Sequence, residues 1–170
     1  MSENSEKWSV PVLVDELPET GAHYEISADA PAREAIATMA GLRGVAQLAA
    51  TFDVAQRGAG VQVIGEVVGR VGQTCVVTLE PIENEVRERV DLIFEPPAEA
   101  ESGRRRKGSD ELPEPLQNGV IDLGTIAIEF LVLGLDPYPR KPGVEFKAPT
   151  ADKAGESPFV ALEKLKKSSG

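Results

Sequence analysis

Cysteine and histidine occur once each in this 170-residue chain, as Cys75 and His23, so thiol and imidazole chemistry has almost no material. A single cysteine excludes an internal disulfide and fits a reducing compartment. A Cys–His nucleophilic pair would need these two residues to meet, and neither stands in a nucleophile motif. The plainer reading is a surface histidine and a buried thiol. Zinc binding through Cys and His lacks its ligand count, and no cofactor or metal is expected. Cations are scarce as well: 18 Lys and Arg face 28 Asp and Glu, a net charge of −10. That balance argues against a broad nucleic-acid footprint, because counterion release from phosphates needs clustered Lys and Arg. No apolar run reaches the roughly 20 residues that a membrane helix needs. The start, Met1-Ser-Glu-Asn-Ser-Glu, lacks the basic then apolar order of a secretory signal. A cytoplasmic protein is expected.

The length suits one domain with ordinary tails, and 41% hydrophobic content supports a buried core. Thirteen prolines and 16 glycines imply many turns. Trp8, Val10, Val12 and Val14 alternate as a first strand, which Pro11 would confine to a sheet edge. Tyr24 and Ile26 mark a short second strand. Asp29 to Gly41 carries a capping acid, an early proline, and Ile36 with Met39 on one face, which predicts a short amphipathic helix ended by Gly41 or Gly44. Ala46, Leu48, Ala50, Phe52 and Val54 then share one strand face, and Val61, Val63, Val67 and Val71 share the next. With a glycine-containing turn at 56–60, the two runs predict an antiparallel hairpin. In the strand predicted from Glu85 to Phe94, Val86, Val90, Leu92 and Phe94 face inward. Glu88 intrudes on that apolar face.

The run Ile121 to Arg140 predicts a capped helix over Asp122–Leu135. Asp122 can accept the free N–H groups of the first turn, and Pro137 and Pro139 stop the pattern. Leu123, Ile126, Phe130 and Leu133 recur at helical spacing, while Ile128, Leu131 and Val132 fill the opposite side. The helix is therefore expected to be covered around most of its circumference, with Glu129 its only charge. The fold class that results is α+β: an antiparallel β-sheet of about five or six strands, a long buried helix packed on it, a short helix in the N-terminal half and a C-terminal helix.

Residues 1–146 are read as one domain with a flexible insertion at 95–117, and 147–170 as a linker and C-terminal amphipathic helix. The insertion carries Arg104, Arg105, Arg106 and Lys107, which read either as a phosphate-binding loop or as a solvated charge run. Six acids surround those four bases between Glu95 and Glu114 for a local sum of −2, which favours the solvated run. The corner Asp136-Pro-Tyr-Pro-Arg140 either presents Tyr138 and Arg140 to a partner or pins the helix end. Two prolines flanking an aromatic make it rigid and favour the second role. The segment Ser157 to Lys167 has a capping serine, a proline at the first helical position, apolar Phe159, Leu162 and Leu165, and terminal cations. Such a helix can dock on the body or in a groove elsewhere.

Five segments occur in an order that resembles the YceD family, the large ribosomal RNA subunit accumulation proteins (domain of unknown function 177), in its alphaproteobacterial form. They are Thr74-Cys-Val-Val-Thr-Leu-Glu-Pro-Ile82, Ile121-Asp-Leu-Gly124, Glu129 to Leu133, Asp136-Pro-Tyr-Pro-Arg-Lys-Pro-Gly-Val-Glu-Phe146 and Ser157 to Lys166. In the family pattern Cys75, Leu79, Pro81, Asp122, Leu123, Glu129, Pro137 and Pro139 fall at motif positions, read as structural. The departure is at Thr78, where many relatives place a second thiol, so a metal role in such relatives does not transfer here.

The resemblance implies a non-enzymatic accessory factor supporting accumulation of the large-subunit (23S) ribosomal RNA or ribosome biogenesis. The acidity of the chain points to a protein partner in ribosome assembly or RNA processing, with residues 104–107 the one candidate for direct RNA contact. The alternative is a carboxylate or metal-dependent hydrolase, since 28 carboxylates can pair in a cleft although no spacing selects a pair.

Overall fold

Strand β1, Pro11–Leu13, does not join the main sheet. It pairs antiparallel with the short strand at Val120–Asp122, Val12 opposite Ile121, where its proline sits in a two-stranded edge ribbon and removes no ladder bond from a central strand. The computed structural model describes residues 8–96 and 114–146. The predicted insertion core with Arg104 to Lys107 and the C-terminal helix with Phe159, Leu162 and Leu165 lie outside the described residues.

The main sheet runs β2 (Ala22–Ser27), β3 (Gly44–Arg57), β4 (Gly60–Thr74), β5 (Pro81–Glu95) and β6 (Glu114–Pro115) in spatial order. The first four are antiparallel, and β6 adds a two-residue parallel pairing at Phe94 and Glu95. The ribbon partner of β1 is β7. The β3–β4 hairpin is long because both strands alternate cleanly. It turns on Gly58 and Ala59 between the paired Arg57 and Gly60, and Gly58 takes φ 65°, a left-handed conformation that glycine adopts without strain.

A β-bulge between Val45 and Gln47 corrects the predicted register at the start of β3. Val45 is buried in place of Ala46, which faces solvent, because one extra residue moves every earlier side chain to the other face. Inward, the rows Tyr24–Phe52–Gly65–Val90 and Ile26–Ala50–Val67–Glu88 cross the sheet. Glu88 therefore stands half-buried at the β5 end of its row, midway along a strand that β6 pairs only at Phe94 and Glu95. The missing side chain of Gly134 accommodates it, since a Cβ there would lie 2.7 Å from Glu88 Oε1.

Two helices cover the inner face. Helix α1, Ala30–Met39, is capped by Asp29, whose Oδ1 accepts the Ala32 N–H at 2.9 Å, and ends before Gly41 at φ 65°. Ile36, Ala32 and Ala37 are buried, but Met39 is 62% exposed, so the predicted Ile36–Met39 face is only half realised. Helix α2 spans Leu123–Leu133, shorter than predicted because Gly134 is its C-cap. It is amphipathic and not wrapped on all sides. Leu123, Ile126, Ala127, Ile128 and Leu131 are buried, whereas Glu129 and Val132 face solvent and Leu133 is 75% exposed. Phe130 is half-buried against the core. The helix settles on Gly69 of β4, where a Cβ would meet Leu131 Cδ1 at 2.3 Å.

Candidate functional site

The first and fourth family-like segments, about sixty residues apart, meet in one corner. Strand β4 ends at Thr74, and the chain turns through 75–79 on the Leu79 N–H to Cys75 O and Cys75 N–H to Glu80 O bonds, both 2.9 Å. Leu79 takes φ 61°, an uncommon conformation for a branched residue, with its side chain in solvent. Cys75 thus lies at the turn that follows β4. Its buried Sγ accepts the backbone N–H groups of Thr78 and of Lys141, each at 3.4 Å. The Val76 N–H donates to Pro139 O at 2.9 Å, and Lys141 Nζ reaches Glu80 Oε2 at 3.0 Å.

The thiol is acidified. The Thr78 side chain, then the Lys141 and Thr78 backbone N–H groups, stabilise the thiolate and bring its pKa down to about 6, with burial opposing. Thr78, notable in the sequence only for the thiol it replaces, serves here through its N–H and hydroxyl. Glu80 is likewise held below the usual carboxylate range by Lys141. Among the described residues, no three His, Cys, Asp or Glu side chains are grouped to hold a metal ion.

The proline corner is tied from both sides. Asp136 Oδ1 accepts the Tyr138 N–H at 2.8 Å, an Asx turn, and Asp136 O accepts Gln73 Nε2 at 3.0 Å, with Gln73 held in turn by Asn84 Nδ2 at 2.8 Å. Pro139 is buried; Pro137 and Arg140 face solvent, and Tyr138 is 69% exposed. The residues that fasten the corner, Gln73, Asn84 and Glu80, had no visible role in the sequence, because only the β4–β5 register brings them to it. Between this corner and the end of α1 lies a cleft of about 390 Å³ lined in part by Leu42, Arg43, Val76, Leu135 and Pro137.

At the other end of α2, Asp122 joins three elements. Its Oδ1 accepts N–H groups of Gly124, Thr125 and Val10 at 3.0, 3.2 and 2.9 Å, and Oδ2 accepts Ser9 Oγ at 2.7 Å. Burial pushes its pKa up, but these donors prevail and hold it below the usual value. Pro81 opens β5 at the surface, and Leu123 is fully buried beside the cap.

The outer sheet face is open and acidic. Arg87 is paired with Glu66 at 2.7 Å and with Glu85 at 3.4 Å, and Arg70 with Glu83 at 3.5 Å. His23 is exposed, as expected, beside Asp53 at 2.7 Å, which raises its pKa.

These features define an α+β protein in which two distant segments close one thiol-centred corner at the end of a sheet. Residues 63–166 match the model of the family described as Large ribosomal RNA subunit accumulation protein YceD, and the chain belongs to that family. No curated protein and no solved structure matches the chain. Among the described residues, no helix is long and apolar enough to cross a membrane.

Proposed function

We propose that this chain is a non-enzymatic accessory factor for accumulation of the large-subunit ribosomal RNA, working in the cytoplasm through a protein partner. Family membership supports the biological setting. The observation that carries the choice of partner is the outer sheet face, where two of the arginines, Arg70 and Arg87, are engaged by Glu83, Glu66 and Glu85 and a third, Arg57, by Gln62. Cations held by neighbouring acids release few phosphate counterions, and a chain at −10 repels an RNA backbone before contact. A basic protein of the assembling subunit meets no such barrier. Phe159, Leu162 and Leu165 supply an apolar stripe for the same partner.

Sedimentation of the tagged chain from native lysate tests this. Co-migration with large-subunit precursors is expected to persist when Arg104, Arg105, Arg106 and Lys107 are all changed to Ser, and to be lost in a Phe159→Ser, Leu162→Ser, Leu165→Ser chain. Loss in the quadruple variant, with a flattened salt dependence, would assign the contact to RNA phosphates instead.

A further inference from the structure

We propose that the segment Ser157–Lys167 of this chain docks in the apolar groove between α1 and α2, so that the groove and the segment cover one another in the free protein. This goes beyond the functional reading and stands whether or not ribosomal RNA is involved. The groove, about 450 Å³, is lined by Met39, Thr125, Ile128, Glu129, Val132 and Leu133. Its rim holds two of the most exposed large apolar side chains among the described residues, Leu133 at 75% and Met39 at 62%. Adjacent exposed apolar side chains of this kind mark an interaction surface.

Three observations select the occupant. The first is reach. The chain is anchored at Pro139 and Lys141 to the Cys75 turn, and the cleft beside that corner is lined by Ala40 and Leu135, next to the groove residues Met39 and Leu133. Residues 142–156 can span up to about 50 Å when extended, ample to carry Ser157 from this corner into the neighbouring groove. The second is shape. Phe159, Leu162 and Leu165 recur at helical spacing and give one short apolar stripe, which matches a groove walled by α2 and closed at one end by Met39, the last residue of α1. The third is charge. Residues 147–170 contain five lysines and three acids, a net +2 in a chain of −10, and Glu129 offers the groove an exposed acid to the cationic end of the segment. A helix this short is marginal alone, and burial of its stripe would supply the missing stability.

The test uses the full chain and two sets of changes that leave the body core untouched: Phe159→Ser, Leu162→Ser, Leu165→Ser in the segment, and Leu133→Lys in the groove. Methyl resonances of Met39, Ile128 and Leu133 are expected to shift in the segment variant, while Val61 and Val63 at the hairpin end stay in place. Peroxide oxidation of Met39, read by peptide mass spectrometry, should become several-fold faster. In the Leu133→Lys chain the amides of 157–167 should sharpen as in the segment variant. Unchanged Met39 methyl and oxidation behaviour in the segment variant would overturn the proposal. Shifts that grow with protein concentration would also overturn it, by making a second copy the occupant.

Discussion

The backbone N–H of Lys141 donates to Sγ of Cys75 at 3.4 Å across 66 positions of sequence. One buried sulfur thereby closes the β4 turn on itself through Thr78 and fastens the proline corner to it. Two backbone donors would lose their acceptor if that sulfur were removed.

Cys75→Ala is therefore expected to cost about 1–3 kcal/mol, the range for a buried donor left without its partner. The loss should also depend on pH. The folded thiol titrates near 6 and the unfolded one near 9.0, so the folded state favours the thiolate. Its contribution is complete above the unfolded value and disappears as pH falls through the folded one. Urea midpoints of the native chain should thus rise between about pH 6 and 9 by more than those of Cys75→Ala. Parallel curves would show that the sulfur carries no such charge.

Asp122→Ala should destabilise by more than the about 1 kcal/mol of an ordinary helix cap, since the same carboxylate also holds Val10 and Ser9. Its pKa is depressed from 3.8, so the contribution is present above that value and lost as pH falls below it. Asp122→Asn keeps one acceptor oxygen and should retain part of the stability at neutral pH but lose the acid dependence. Equilibrium denaturation of the three chains decides this.

Leu131→Ala is expected to cost about 2–5 kcal/mol and Leu133→Ala less than about 0.5, although the two differ by only half a helical turn. Phe130→Ala should fall between them, because its ring is half-buried. Gly69→Ala should also destabilise, by about 1–3 kcal/mol from overpacking against Leu131. In the Leu131→Ala background the clash has no partner, so the double variant should be less destabilised than the sum of the single changes. Additivity would mean that α2 does not rest on Gly69.

The hairpin, the Asp29 and Asp122 caps and the α+β class were legible because alternation, capping and turn chemistry are local. The bulge at Val45 was not, since Ala46 and Val45 are both acceptable inward residues and only pairing with β4 chooses between them. The apolar content of α2 was read as burial around most of its circumference, Val132 and Leu133 included, and these two face solvent. Hydropathy records what can be buried, and the number of neighbours available decides what is. In the site, Cys75, Asp136, Pro139 and the absent second thiol were visible as motifs, and the family with them. That the thiol and the proline corner touch was not, because no local pattern encodes a contact between residues 75 and 141.

By itself, then, the sequence determined the central hairpin, where the two helices begin, which faces are apolar, that thiol and imidazole chemistry has one residue each, and that the chain is acidic. Those properties depend on neighbours within a few positions or on composition alone. Tertiary structure alone decided the register of β3, the exposure of Met39, Val132 and Leu133, the seat of α2 on Gly69, and the acidified environment of Cys75. Each of these is set by side chains and backbone groups distant in sequence, whose approach depends on how the sheet and helices pack.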